Sequence, residues 1–493
     1  MDEYRVRTGI GGLDNILTGG LPNGHLFVVE GEPGTGKTTL GLQYLMEGAS
    51  REEKVMYVTL SESKLELEGV ARSHKWSLEG VALFEFTPTE DSLRPEDQYS
   101  VFHPSELEFQ DTTQSILSEV ERINPTRIVF DSLNEIRLLA RDSLRYRRQI
   151  LALKHYFSNR GCTVLLLDDK TAEGHDMQLH SIAHGVISLE RLPREYGIER
   201  RRLRISKLRG SPFREGYHDY RIATGGMVVY PRLVAHEHRP PNEHGVCKSG
   251  LPALDALWDG GIPHGSSTLF LGPAGSGKSS IAVQYAAEAA TRNEFAAVFT
   301  FDETRETLMV RSAGLGLNLA PLIEQGKLRL DQIDPAELSP GEFVESVRRS
   351  VTEQQARVVV IDSLNGFLSS MPGDRFLGIQ MHELLTYLNQ QGVVTILVMA
   401  QAGLLGATMT SPIDLSYLAD NVLLTRYFES LGRVRKALSV VKKRSGKHEE
   451  TIRELRFVDG KIQVGEPLAD FQGVMTGVPK FLGSEESLFQ KAD

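Results

Sequence analysis

One octet constrains this chain more than any other stretch: Gly31-Glu32-Pro33-Gly34-Thr35-Gly36-Lys37-Thr38, entered from an apolar run (Leu26 to Val29) and left through a helix-like run (Thr39 to Glu47). It recurs as Gly272-Pro273-Ala274-Gly275-Ser276-Gly277-Lys278-Ser279, again between a strand-like run (Thr268 to Leu271) and a helix-like one (Ile281 to Ala290). Both fit G-x-x-x-x-G-K-[ST]. In that loop, backbone N–H groups cradle phosphates, the lysine reaches the β- and γ-phosphates, and the last hydroxyl takes Mg²⁺. The expected ligand is ATP with Mg²⁺. Its expected cradle is Gly34, Thr35, Gly36, Lys37, Thr38 and Thr39 in one copy, and Gly275, Ser276, Gly277, Lys278, Ser279 and Ser280 in the other.

The repeat extends well beyond the loops. Thr8-Gly9 and Leu13-Asp14 return as Ser249-Gly250 and Leu254-Asp255, and Gly19-Gly20-Leu21-Pro22 returns as Gly260-Gly261-Ile262-Pro263, at the offset of 241 residues that separates Lys37 from Lys278. Solenoid repeats span some 20–50 residues, so a period this long means tandem domains. The expected division is a first domain at 1–234, a linker at 235–246, a second domain at 247–468 and a tail at 469–493. The linker region, Pro231 to Gly245, carries three prolines together with His236, His238 and His244, and reads as a flexible polar connection rather than a metal site.

Within each copy strand-like and helix-like runs alternate, the pattern of an α/β fold with a mostly parallel sheet flanked by helices. In the first copy the strand-like runs are Leu26–Glu30, Val55–Leu60, Val81–Phe86, Arg127–Phe130, Thr163–Asp168 and Val186–Leu189. Each copy then ends in a β-rich part with turns at Gly225-Gly226 and Asp459-Gly460. A Pro- and acid-rich insert from Thr87 to Gln110 is expected to be a surface loop of the kind that serves partners, whereas the second copy has only the shorter Asp331–Ser339 connection.

Composition excludes several classes. No apolar run approaches the roughly 18 residues of a membrane span and the N-terminus lacks an apolar signal region, so a cytoplasmic protein without membrane contact is expected. Cys162 and Cys247 lie in different halves with no C-x-x-C, which suggests neither a disulfide framework nor a zinc site. A net charge of −10 argues against a general polyanion binder, and nucleic acid is not an expected partner.

A phosphate loop binds but does not choose between hydrolysis, transfer and switching, so the groups facing the γ-phosphate decide the chemistry. An aspartate ends a buried strand-like run in each copy, in Val129-Phe130-Asp131-Ser132 and Val360-Ile361-Asp362-Ser363, where it can hold Mg²⁺ together with Thr38 or Ser279. After the next strand stands Glu62 in Ser61-Glu62, matched at the same offset by Glu303 in Asp302-Glu303. Glu62, Asp302 and Glu303 are candidates to orient or deprotonate a nucleophile. The paired acids suit the second site to activating a hydroxyl and the first to positioning water. Finally Lys207-Leu208-Arg209 and Lys442-Lys443-Arg444 end late strands. Alternation puts Lys207 with Arg209, and Lys442 with Arg444, on one face, where paired cations can stabilise charge on a transferring phosphoryl group.

Loop, strand-end glutamate, Asp-Ser strand and K-x-R finger in this order resemble a RecA-type ATPase core. Tandem copies opening on [TS]-G-x-x-x-L-D-x-x-x-x-G-G-[LI]-P resemble the KaiC family of circadian-clock ATPases and autokinases over roughly residues 4–480, including Phe471-Gln472-Gly473-Val474-Met475-Thr476-Gly477-Val478-Pro479. The resemblance implies two tandem RecA-like domains in a double-ring homo-hexamer, with ATP at subunit interfaces, each finger acting on a neighbour's nucleotide, and signalling protein partners. It also implies slow hydrolysis in the first ring and self-phosphorylation in the second. There Ser416 falls on the family's acceptor serine, Tyr417 stands in place of its threonine, and Ser411 lies five residues upstream where the family has another hydroxyl. Ser61 departs from the family's first acid, and with only a short stretch after Pro479 a long tail for docking an activator is not expected. Two other readings share this core: a nucleotide-gated signalling scaffold without kinase activity, and a DNA-dependent ATPase, whose basic Gly-rich loops and separate DNA-binding domain are not evident.

Overall fold

The computed structural model describes residues 5–86, 104–140, 142–170, 177–193, 196–237, 245–369, 377–401, 418–430, 432–475 and 479–482. The chain divides into two compact units, residues 1–232 and 233–493.

Each unit is built on a nine-stranded sheet. In the first the strands are β1 (Leu26–Gly31), β2 (Val55–Thr59), β3 (Val81–Glu85), β4 (Arg127–Asp131), β5 (Thr163–Asp169), β6 (Gly185–Leu192), β7 (Arg200–Leu208), β8 (His218–Ala223) and β9 (Gly226–Tyr230). Their spatial order is β3-β2-β4-β5-β1-β6-β7-β8-β9. The run from β3 to β6 is parallel and β7 to β9 add antiparallel. The second unit repeats this arrangement with β10 (Ser267–Gly272), β11 (Ala296–Thr300), β12 (Leu328–Gln332), β13 (Val358–Asp362), β14 (Val394–Ala400), β15 (Asn421–Ser430), β16 (Arg433–Lys443), β17 (Arg453–Val458) and β18 (Lys461–Pro467), in the order β12-β11-β13-β14-β10-β15-β16-β17-β18.

The apolar runs form strands because both faces of each sheet are covered. Phe27, Val29, Tyr57, Val129 and Leu165 pack into one core of the first unit, whereas their neighbours Leu26, Val28, Met56, Ile128 and Leu166 pack into another on the opposite face. The second unit divides likewise, with Phe270, Val298 and Val360 on one side and Leu269, Phe299 and Ile361 on the other. A strand sandwiched in this way reads as continuous rather than alternating hydrophobicity. Each fully buried Val, Leu, Ile or Phe contributes about 1.5–3 kcal/mol, which outweighs local propensity. The expected two tandem RecA-like α/β domains, each with a β-rich C-terminal part, are therefore present. The β17–β18 turn has Asp459 and Gly460 both at positive φ (51° and 68°), the two-residue turn that matches strand twist.

Two local readings are corrected. The stretch from Pro231 to Gly245, expected to be a flexible polar linker, begins as folded core: Leu233 and Ala235 are buried with Phe343, Leu384 and Leu388, because their apolar side chains have a hydrophobic face to cover, and Ala235–Glu237 forms a turn of 3-10 helix. The segment expected to be loop through Gln110 turns helical at Pro104, in the helix Pro104–Ile123, while residues 87–103 lie outside the described residues. Proline at the first helical position breaks nothing, because its missing N–H would have no partner there and its φ is already helical.

Candidate functional site

The phosphate loops leave the carboxyl ends of β1 and β10, the central strand of each nine-stranded sheet, and ligands bind outside the carboxyl ends of strands in open α/β sheets. Gly36 and Gly277 open the following helices, Lys37–Ala49 and Lys278–Thr291, with φ of 92° and 102°. A Cβ at Gly36 would stand 2.6 Å from Ile222 Cδ1, and one at Gly277 would stand 2.7 Å from Phe457 Cζ. The β-rich part of each domain thus closes over its own loop, and only glycine fits beneath it.

In the first domain Lys37 is buried. It donates to the carbonyls of Gly31 (2.9 Å) and Glu32 (3.1 Å) and pairs with Asp169 at 2.6 Å. Thr38 Oγ1 donates to Asp131 Oδ2 at 3.1 Å, and the Tyr57 hydroxyl donates to the same oxygen. Burial raises the Asp131 carboxyl, against the opposing effect of these two hydrogen bonds and of Lys37. Two hard oxygen donors side by side fit Mg²⁺ as a ligand. Glu62 stands at the carboxyl end of β2, its backbone N–H held by Thr59 Oγ1 at 3.0 Å. Its Oε2 is buried without a hydrogen-bond partner among the described residues. Burial, reinforced by Asp131, Glu66 and Asp169, pushes this carboxyl up to about 7. An unpartnered carboxylate poised near neutrality is the setting of a general base.

The second domain keeps the cradle and changes its surroundings. Lys278 donates to Pro273 O at 2.6 Å, and burial brings it down to about 8. Ser279 hydrogen-bonds Asp362, repeating the Thr38–Asp131 pair. Glu303, however, is gripped by Arg311 through two bonds, Nε to Oε1 at 3.0 Å and Nη2 to Oε2 at 2.7 Å. Arg311 Nη1 also donates to Ser280 Oγ at 2.8 Å, and Asp302 accepts from Ser363 Oγ.

The four finger residues lie elsewhere. Lys207 and Leu208 pair with Val186 and Gly185 at the start of β6, and Gly185 pairs with Phe27 at the start of β1. The phosphate loop follows Gly31, at the other end of that strand and roughly 13 Å away. The Lys207 ammonium donates to His180 O, and Arg209 Nη2 donates to Ser181 O at 2.7 Å. Lys154 joins them by donating to Ile182 O at 2.8 Å, so three cations converge on one stretch of backbone. In the second domain Lys442 donates to Ala419 O (2.7 Å) and Arg444 pairs with Asp420 (2.9 Å), beside the start of β10. Lys207 with Arg209, and Lys442 with Arg444, do share a face, but each pair is remote from the loop of its own domain.

Sequence reading missed Asp169, Arg311 and Tyr57. Asp169 ends β5, next to β1 in the sheet, and the doubled acid Asp168-Asp169 could have flagged it; Asp168 itself pairs with Arg137. Arg311 had no signal, since the matching residue of the first copy is Val70. Ser416, Tyr417 and Ser411 lie outside the described residues. Among the described residues, no helix is long and apolar enough to cross a membrane.

A family model described as "ATPase: KaiC" matches residues 6–234 and again 247–469. The chain is 25% identical to the circadian clock protein KaiC3 of Synechocystis sp., over 98% of this chain and 96% of that protein. It is 23% identical to the circadian clock oscillator protein KaiC of Parasynechococcus marenigrum (99% and 95% covered). With the KaiC of Synechococcus elongatus the identity is 24% (98% and 93% covered).

Proposed function

The chain belongs to the KaiC family of ATPases, and from that premise we propose that it is a cytoplasmic Mg-ATP-hydrolysing signalling protein that works as a homo-hexamer with nucleotide held between subunits. Its domains are 1–234 and 247–468, joined by 235–246 and followed by a tail at 469–493. Its partners are signalling proteins rather than nucleic acid or membrane. One observation carries this reading: each basic finger sits at the opposite end of the sheet from its own phosphate loop, so it reaches a γ-phosphate only on another copy.

Thr38 with Asp131, and Ser279 with Asp362, would hold Mg²⁺, which would offset the charge on the phosphate oxygens of a bound ATP, the phosphoryl donor. In the first domain Lys37 and the loop N–H groups orient the phosphates. Glu62 takes a proton from the attacking water, and Lys207 and Arg209 of the neighbouring copy offset the charge that builds on the transferring group.

Subunit mixing tests the arrangement. Chains carrying Lys37→Ala with Lys278→Ala, and chains carrying Arg209→Ala with Arg444→Ala, should each lose most phosphate release. An equimolar mixture should regain up to about a quarter of wild-type activity, the share of interfaces that pair an intact loop with an intact finger. A mixture as inactive as its components counts against action between subunits.

In the second domain we assign self-phosphorylation of Ser416, with Asp302 and Glu303 serving the transfer. The family relationship and the Ser279–Asp362 pair support it. Mass spectrometry after incubation with Mg-ATP should find phosphate on Ser416 in the wild type and in Glu62→Gln, and none in Glu303→Gln. An unmodified Ser416 in the wild type removes the kinase activity and leaves an ATP-gated scaffold.

A further inference from the structure

Asp169 and Ala400 occupy equivalent places. Asp169 ends β5 in register with Gly31 of β1, and Ala400 ends β14 in register with Gly272 of β10. The residue beside each is the same: Asn134 Nδ2 reaches Asp169 Oδ2 at 3.4 Å, and Asn365 exchanges bonds with the Ala400 main chain at 3.0 and 2.8 Å. The local frame is shared, then, and a carboxylate has been placed in one copy only.

That carboxylate lies against the phosphate-binding lysine. Lys37 is neutralised by Asp169 at 2.6 Å. In the second loop Lys278 is held by Pro273 O and more distantly by Ser276 Oγ, at 2.6 and 3.5 Å. An arriving triphosphate must take Lys37 away from Asp169 and then tolerate a negative charge beside the one it brings; at the second loop neither cost arises from this position. Arg311, which stands where the first copy has Val70, is itself neutralised by Glu303 at 2.7 Å and so leaves the difference between the two lysines to Asp169.

We infer that Asp169 is a specificity-determining residue that makes the first domain the weaker and more readily exchanging nucleoside-triphosphate site and leaves the second as the tighter one. The inference rests on reading both loops as ATP sites. Asp169 acts through Lys37 and by repulsion of the phosphates, so both Asp169→Ala and Asp169→Asn remove its effect, although only asparagine keeps the shape.

The test uses the full-length chain and Mg-ATPγS, a slowly hydrolysed ATP analogue, in calorimetric titrations with one loop silenced at a time. With the second loop silenced by Lys278→Ala, Asp169→Ala and Asp169→Asn should each tighten binding on the order of tenfold. With the first loop silenced by Lys37→Ala, the reciprocal Ala400→Asp should loosen binding by a similar factor, and this arm decides the matter if the Asp169 variants do not fold. Binding at the first loop that is unchanged or weaker in the Asp169 variants overturns the inference, as does an Ala400→Asp second loop that binds as before. A Lys278→Ala chain that takes up no analogue at all overturns instead the reading of the first loop as a nucleotide site.

Discussion

Glu62→Gln should lower ATP hydrolysis by the first domain roughly 100- to 10,000-fold, the usual contribution of a positioned general base. It should leave nucleotide affinity nearly intact, because glutamine keeps the shape of the side chain and removes only its charge. Phosphate release by a Lys278→Ala chain, in which only the first loop is loaded, isolates the effect. The pH profile adds a second readout. Glu62 acts when ionised and its carboxyl is held up at about 7, so the wild-type rate should climb with pH to about 7 and level off above it. In the glutamine variant that limb should vanish. Stability should move the other way. The folded-state value lies above the ordinary 4.5, so the stability tied to the protonated form is fully present below 4.5 and is lost as pH rises through about 7. Above pH 7 the wild type therefore carries a destabilising charge that glutamine removes. For a half-buried, solvent-screened group this amounts to about 1 kcal/mol. A variant that is slower yet melts higher at pH 8 cannot be dismissed as misfolded, and one that retains both rate and pH limb sinks Glu62 as the base.

The second large effect concerns stability. Arg127 is almost wholly buried at the start of β4. Its guanidinium grips Glu53 at 2.6 and 2.7 Å and donates to the carbonyls of Arg7 at 2.7 Å and Tyr44 at 3.1 Å. Its side chain also fills the space over Gly48, where a Cβ would come within 2.7 Å of Arg127 Cδ. Arg127→Ala strips a carboxylate and two carbonyls of their donor and leaves a cavity, at a cost of about 3–5 kcal/mol. The equivalent residue of the second domain is Val358, a member of its apolar core. Calorimetry should therefore show the first domain's transition falling by about 10 °C while the second domain's stays in place. A first-domain transition within a degree or two of wild type would show that Arg127 is a solvated strand end after all.

Much of the fold was legible because its determinants are local and were written twice. The loop octets, the glycine pairs before them and the runs from Leu26 to Val29 and Val358 to Ile361 report spacing and burial, and two sandwiched parallel sheets are the solution that covers both faces of such strands. Pairing Thr38 with Asp131 was likewise readable, since both terminate elements that the pattern aligns. The segment ending at Gln110 was misread where it turns helical at Pro104, because proline signals a break in a helix interior and a start at its first position, and sequence alone does not say which applies.

What the sequence determined by itself is the repeated cradle and the order of chemistry along the chain: lysine, hydroxyl, strand-end acids and basic fingers. What only the tertiary structure decided is which of these groups meet. Glu62 and Glu303 are alike in sequence, yet one carboxylate oxygen of the first is left unpartnered while the second is gripped by Arg311, eight residues further on at the far end of a helix. Asp169 is 132 positions from Lys37 and touches it because β5 runs beside β1. The fingers, at the ends of strands drawn to the same sheet, lie away from their own loops because β7 and β16 run antiparallel to their neighbours and so finish at the opposite edge. Electrostatic effects fall off over a few ångströms and depend on burial, so partners brought together by strand order set the charge on each group, and strand order is a property of the folded sheet.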